Sequence, residues 1–186
     1  MRSIPSSASM QYLQHALVVR NKFFMRDLVE TTLGQRAEMI VRLALSADSP
    51  RITELYRQLT QDLSVSVSAE RITQLSQDAN TSLWACEMDG IVVGTAMISI
   101  CADVMYNCQP FAVIENVIVD KGEQAKGIGA ALLRNAEAYC LSKDCSKIML
   151  LSSSHRTAAH LFFERMGFDS SAKRGLVKYR RDFYKR

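Results

Sequence analysis

The chain has 186 residues, 48% of them hydrophobic and 23% charged, with a formal net charge of +4. That length supports one substantial core, and that composition excludes a disordered or collagen-like chain. No run approaches the roughly 18 consecutive apolar residues of a membrane-spanning helix, so a soluble protein without a membrane partner is expected.

The charge is unevenly spread. Residues 1–26 hold Arg2, Arg20, Lys22 and Arg26 with no acid, and residues 171–186 hold seven bases against Asp182 alone, leaving a body of 12 bases and 18 acids. A uniformly basic nucleic-acid binder would not look like this. Cys86, Cys101, Cys108, Cys140 and Cys145 are scattered, odd in number and without C-x-x-C spacing, and no secretory leader is read. Reduced thiols in a cytoplasmic compartment are therefore expected. His15, His155 and His160 stand at no ligand-like spacing to the cysteines, so no metal site is expected.

Residues 1–38 read as an N-terminal extension: a helix over "MQYLQHALVVRNKFFMRDLVETTL", a transit-like segment, or a start placed too early. A single domain is expected over residues 39–186. "MIVRLAL" predicts a strand, and "SADSPRITELYRQLTQDL" a helix with Ile52, Leu55, Leu59 and Leu63 along one face. "SAERITQLSQD" predicts a second short helix with Ser68 at its start. "TSLWACEMDGIVVGTAMISICAD" reads as two strands around an Asp89-Gly90 hairpin turn. "PFAVIENVIVD" is a further strand, "GIGAALLRNAEAYCLSKD" a helix with Ala130, Leu133, Ala136 and Cys140 on one face, and "SKIMLLSS" another strand. "RTAAHLFFERMGF" predicts a helix ending at Gly167, and "RGLVKYRRDFY" a last strand. Strands and helices in this order imply an α/β (α+β) fold, a mixed sheet with helices on both faces.

The stretch "EQAKGIGAALL" lies between a strand and a helix, where an anion-binding turn belongs. Gly127 and Gly129 remove side chains where backbone would approach a ligand, and the first N–H groups of a helix have no partner inside it. A Walker loop would need G-K-S/T, which is absent. A dinucleotide turn would need a third glycine where Leu132 stands and an acid about twenty residues on, also absent. A tight strand-to-helix turn without a ligand remains the plain alternative.

"VDKGEQAKGIGAALL" resembles the pyrophosphate-binding motif of the GNAT superfamily of N-acetyltransferases, with Gln124, Gly127 and Gly129 matching and Val119 at the usual distance upstream. "AAHLFFERMGF" resembles the family's later helix and Gly-Phe turn. The resemblance covers about residues 39–180. Where many members have Arg-Gly, this chain has Gln124-Ala125. The resemblance implies a GNAT-like, mixed but mostly antiparallel twisted sheet of six to seven strands. It implies an acyltransferase that takes acetyl-CoA as co-substrate and delivers acetyl to a primary amine by direct attack on the thioester.

By the same resemblance, the backbone of Gln124, Ala125, Lys126, Gly127, Ile128, Gly129 and Ala130 would meet the pyrophosphate. Val117, Ile118 and Val119 would pair with the pantetheine arm, and Val117 N–H would meet the oxyanion. Arg156 stands where an Asn often contacts the cofactor, and Phe163 where many members carry the tyrosine that protonates the leaving thiolate. A phenyl ring cannot donate a proton, so water, Cys108, Tyr106 or His160 would have to.

Glu115 is a lone carboxylate in an apolar strand. Burial would raise its pKa and suit it to accept the amine proton, directly or through water; an outward-facing or salt-bridged glutamate is the plainer reading. His160 reads as a packed helix residue, and "CADVMYNCQP" as a substrate-side loop. The residues admit three kinds of partner. The first is a small-molecule or peptide amine, with the acidic body favouring a cationic one. The second belongs to a non-catalytic acyl-CoA-binding regulatory module. The third is a nucleic acid touched by "AKRGLVKYRRDFYKR", against which a solvated basic edge strand is the expectation. Families of this kind commonly form homodimers. The acceptor pocket would be shaped by residues 50–80 and 100–110, which carry no signature of a particular amine.

Overall fold

The computed structural model describes residues 25–30 and 36–184, with side chains from Glu38 onward apart from Tyr106. The chain divides into two compact units, Met1–Met149 and Leu150–Arg186. Six strands succeed one another across one sheet in chain order: β1 (Met25–Glu30), β2 (Arg36–Leu43), β3 (Thr81–Met88), β4 (Ile91–Cys101), β5 (Phe111–Val119) and β6 (Ile148–Leu150). β1 to β5 pair antiparallel. β6 returns after a helix, and the bonds that lead into it, Ser146 N–H to Pro110 O at 2.7 Å and Ala112 N–H to Lys147 O at 2.9 Å, advance in the same direction along both segments. That advance marks a parallel pair, so the sheet is mixed, as the order of elements predicts.

Helices α1 (Ser49–Thr60) and α2 (Ala69–Gln77) join β2 to β3, and α3 (Ile128–Ser142) joins β5 to β6. Pro50 sits in the first turn of α1, where its missing N–H costs nothing, and Gln61 ends that helix at φ 57°. Ser68 caps α2 by accepting the Arg71 N–H at 3.0 Å. The Asp89-Gly90 turn has positive φ at both residues, 49° and 81°, which matches its twist to the hairpin strands.

Alternation along β3 distributes the core. Leu83 and Ala85 join Ile52, Leu55, Ile72, Val92 and Ile118 in one cluster under α1 and α2. Trp84, between them in sequence, turns to the other face and meets Tyr139 of α3, ring centroids 5.6 Å apart. Both faces of the sheet are thus covered. At the near end, Arg42 of β2 bonds Asp48 at 2.7 Å and Glu87 of β3 at 2.8 Å, fixing the entry into α1.

Four expectations need correction. Residues 25–30, within the helix that is one of three readings, form β1 and pair with β2 from Met25↔Val41 to Glu30↔Arg36; the rest of that helix, residues 10–24 and 31–33, lies outside the described residues. Leu63 is not part of the α1 face: the helix stops at Thr60 and Leu63 is exposed. In the long α3, Leu133, Ala136 and Cys140 are buried as expected, but Ala130 is only half-buried and the buried face extends to Ile128 and Leu132. "RGLVKYRRDFY" forms no strand; its only regular piece is a single 3-10 turn, Arg180–Asp182. In the second unit α4 (Thr157–Arg165) ends before Gly167, at φ 89°, as predicted.

Gly94 of β4 sets how closely α3 approaches the sheet. A Cβ there would lie 2.9 Å from Ile118 O, 3.0 Å from Ile128 Cγ2 and 3.2 Å from Leu132 Cδ1. The nearest of these is backbone and cannot rotate away. Gly94→Ala is expected to destabilise the chain by about 1–3 kcal/mol, read as a lower urea midpoint at unchanged m-value. A wild-type midpoint would show that the helix rides clear of the strand.

Candidate active site

β4 and β5 run in register from Cys101↔Phe111 to Met97↔Glu115, then resume at Thr95↔Ile118. Two steps on β4 therefore span three on β5, and the surplus falls at Asn116 and Val117. Asn116 takes it up at φ 54°, the left-handed region that asparagine tolerates better than most residues. A bulge of this kind turns a peptide out of the ladder. The Asn116 carbonyl accepts from Thr95 Oγ1 at 3.5 Å, and Tyr56 of α1 interacts through its hydroxyl with the side chains of both Thr95 and Asn116. Burial pushes the Tyr56 hydroxyl above the ordinary phenol value, with those two partners pulling partly back, so it is a neutral hydroxyl at pH 7.

Glu115 stands beside the bulge, opposite Met97, which packs on the cluster under α1 and α2. Glu115 therefore shares the α1 side of the sheet. The expected burial is not found: Glu115 and Asn116 are both exposed, while Val117 and Val119 are half-buried and Ile118 is buried.

At the end of β5, Asp120 anchors the turn between this strand and α3. Its carboxylate accepts Arg51 Nη2 at 2.6 Å, Gln58 Nε2 at 3.0 Å and the Gly122 N–H at 2.9 Å. Gln58 Oε1 in turn accepts the Lys121 N–H at 3.1 Å. Hydrogen bonds from Gln58, Gly122 and Arg51, in that order, hold the Asp120 carboxyl down at about 2. Two residues of α1 thus clamp the entrance of the turn.

The turn itself has the backbone form of an anion site. Ala125 sits at φ 64° and Gly127 at φ 84°, and residues 124–127 are all exposed. Gly127 is the N-cap of α3, with no side-chain cap and no acid in the first turn. The first intrahelical bond is Ala131 N–H to Gly127 O, which leaves the N–H groups of Ile128, Gly129 and Ala130 without helical partners. Nothing lies within 4 Å of where a Gly127 Cβ would be. The positive end of a 15-residue helix is accordingly left uncompensated at an open surface. Gln124 Nε2 reaches back to Val119 O at 3.4 Å, and Lys126 pairs with Glu123 at 2.8 Å.

A family model described as the acetyltransferase (GNAT) family matches residues 49–168. The chain belongs to that family. Among solved structures, a putative acetyltransferase from Agrobacterium tumefaciens matches at 24% identity and TM-score 0.68, over 75% of this chain and 99% of that one. Glucosamine-6-phosphate N-acetyltransferase from Arabidopsis thaliana matches at 24% identity and TM-score 0.65, over 76% and 97%. An aminoglycoside N-acetyltransferase in complex with CoA matches at 17% identity and TM-score 0.65, over 80% and 99%. These likenesses establish the fold.

Within this GNAT chain, the first unit brings Glu115, the 117–119 backbone and the 124–130 turn onto one continuous segment. Arg156 and Phe163 belong to the second unit. There Arg156 is the N-cap of α4, and Phe163 is buried against Phe162 and Phe168, with centroids 5.4 and 6.1 Å away. Of the other proton donors considered, Cys108 is exposed, His160 is half-buried on α4, and the Tyr106 side chain lies outside the described residues. No helix among the described residues is long and apolar enough to cross a membrane.

Sequence reasoning missed Tyr56, Thr95 and the clamp of Arg51 and Gln58. For the bulge there was a signal: Asn116 interrupts an otherwise β-branched strand beside a charge.

The geometry of the turn sets two expectations. Ala125→Gly should stabilise the chain by about 0.5–1 kcal/mol in urea unfolding, because alanine is strained at positive φ. An unchanged midpoint would mean that the left-handed turn is not kept in solution. Asp120→Asn should cost about 2 kcal/mol at pH 7. The depressed carboxyl contributes stability above its unfolded value, near 3.8, and that contribution is lost as pH falls toward about 2. The gap between wild type and variant should close over that window; a gap independent of pH would assign the loss to packing.

Proposed function

We propose that this protein is an acetyl-CoA-dependent N-acetyltransferase acting on a primary amine. The observation that carries the reading is the sequence of backbone devices on one segment: a left-handed bulge at Asn116, a clamped strand end at Asp120, and an uncapped helix start at Gly127. The 124–130 backbone would receive the pyrophosphate on N–H groups and the dipole of α3. Val117, Ile118 and Val119 would pair with the pantetheine arm as a strand pairs, and Val117 N–H would donate to the thioester oxygen as it gains charge.

Glu115 is the proposed base. Being exposed, it would take the amine proton through water or on closure of the acceptor over it, rather than from a dry pocket. The acidic body of the chain favours a cationic acceptor. That one structural relative is bound to CoA agrees with the proposed co-substrate. A second reading, a non-catalytic acyl-CoA-binding module, draws on Phe163, which has no proton to give and sits in an aromatic cluster.

Calorimetric titration of acetyl-CoA and free CoA tests the site. Micromolar binding is expected, abolished by the Ala125→Glu, Gly127→Glu pair while the fold is retained. No binding by folded wild type would overturn the proposal. In a subsequent amine screen, Glu115→Gln is expected to lower turnover about a hundredfold with acetyl-CoA affinity unchanged. Tight binding without turnover on any amine would favour the second reading.

A further inference from the structure

The Thr95 hydroxyl is wholly buried, 0% exposed, at a place in β4 where valine would fill the same space. A buried hydroxyl costs free energy unless it is bonded, so its partners indicate its use. They are the Asn116 carbonyl, at 3.5 Å, and the Tyr56 hydroxyl, which also engages the Asn116 side chain. All of these groups meet at the one place where the β4–β5 register slips.

The peptide that Thr95 grips is the one joining Asn116 to Val117. It is trans, as are all peptide bonds among the described residues, so its carbonyl and its N–H point in opposite directions. With the carbonyl drawn toward Thr95 on β4, the Val117 N–H is turned away from β4 and out of that ladder. We propose that Thr95, backed by Tyr56, is a positioning residue that aims the Val117 N–H at the thioester carbonyl oxygen. This rests on the acetyltransferase reading above. Neither side chain exchanges a proton or forms a bond; each acts through the orientation of one peptide.

At 3.5 Å the Thr95 bond is at the long limit of a hydrogen bond, with room to shorten. When Val117 N–H donates to an oxygen gaining negative charge, the same peptide's carbonyl becomes a better acceptor, and the Thr95 bond tightens with it. Hydrogen bonds of this kind are often long before the reactants are in place. Tyr56 adds a tie. Its neutral hydroxyl meets the Thr95 and Asn116 side chains together, which links β4 to the left-handed residue and resists its unwinding.

The test uses the full chain saturated with acetyl-CoA carrying 13C at the acetyl carbonyl, read by isotope-edited infrared difference spectroscopy. Wild type should show the carbonyl band shifted to lower frequency than in free acetyl-CoA. Thr95→Val and Tyr56→Phe should each move the band back toward the free position, and Thr95→Ser, which keeps the hydroxyl, should hold it. Calorimetric affinity for free CoA should stay within about twofold in all three, since the pyrophosphate turn is untouched. With an accepted amine, kcat should fall about three- to tenfold in the valine and phenylalanine variants, at constant KM for acetyl-CoA. A wild-type band at the free position, or variants indistinguishable from wild type, would overturn the proposal and leave the acetyltransferase reading standing. Failure of wild type to bind acetyl-CoA would remove both. Should Thr95→Val not fold, Thr95→Ser against Tyr56→Phe makes the same comparison.

Discussion

One surplus residue in β5 governs this chain. In a regular antiparallel pair every β5 peptide facing β4 would be spent on the ladder, and only groups on the other edge of the strand would be left for a ligand. The extra residue between Ile118 and Glu115 breaks that accounting at a single peptide. The interruption costs a left-handed conformation at Asn116, and asparagine is the non-glycine residue for which that cost is smallest. It also places a carbonyl beside the buried Thr95, whose hydroxyl takes it as one of its two partners. The bond between them offsets part of the strain at Asn116, and Tyr56 is the second partner of the Thr95 hydroxyl.

Helix α1 links this bulge to the turn beyond it. Tyr56 reaches the bulge, Gln58 reaches Asp120 and Lys121, and Arg51 reaches Asp120 from further back along the helix. Three side chains of one short helix therefore fix two stations, Asn116 on β5 and Asp120 just past its end, so the spacing between them is held by a rigid element rather than by a loop. α3 is set by a different means. Its first turn can approach β4 because Gly94 has no side chain, which brings Ile128 and Leu132 down onto the strand and fixes where the free N–H groups of the helix begin. Polar bonds locate one side of the site and close packing the other.

Much of this is legible in the sequence, and the rest is hidden for identifiable causes. Local signals hold wherever local chemistry decides: the Asp89-Gly90 hairpin, the Ser68 cap, the Gly127 turn and the Gly167 stop. Residues 25–30 read as helix because their strand form depends on pairing with β2, a contact that no local pattern announces. "RGLVKYRRDFY" fails the opposite way: its β-branched and aromatic residues suit a strand, but Leu176, Val177, Tyr179 and Tyr184 are exposed, and no apolar face is buried to hold one. Glu115 reads as buried because its neighbours in sequence are apolar. Alternation says that Glu115 opposes Ile114 but not which of the two faces solvent, and a bulge one residue later resets the parity beyond it.

On the proposed acetyl transfer, Phe163 has a chemical consequence of its own. The ring is packed with Phe162 and Phe168 and carries no donor, so help for the departing thiolate is not to be had from it. A thiolate needs less help than an alkoxide or an amide nitrogen would, its conjugate acid having a pKa of about 8.5. In that proposed reaction the harder step is attack on the thioester, where charge grows on the carbonyl oxygen. There the cost is met by donors already in place, and each donor misaligned is a loss that no later protonation recovers. In that reaction the orientation of one backbone N–H matters more than a proton for the thiolate, and the buried Thr95 and the Tyr56 hydroxyl stand beside the peptide that carries it.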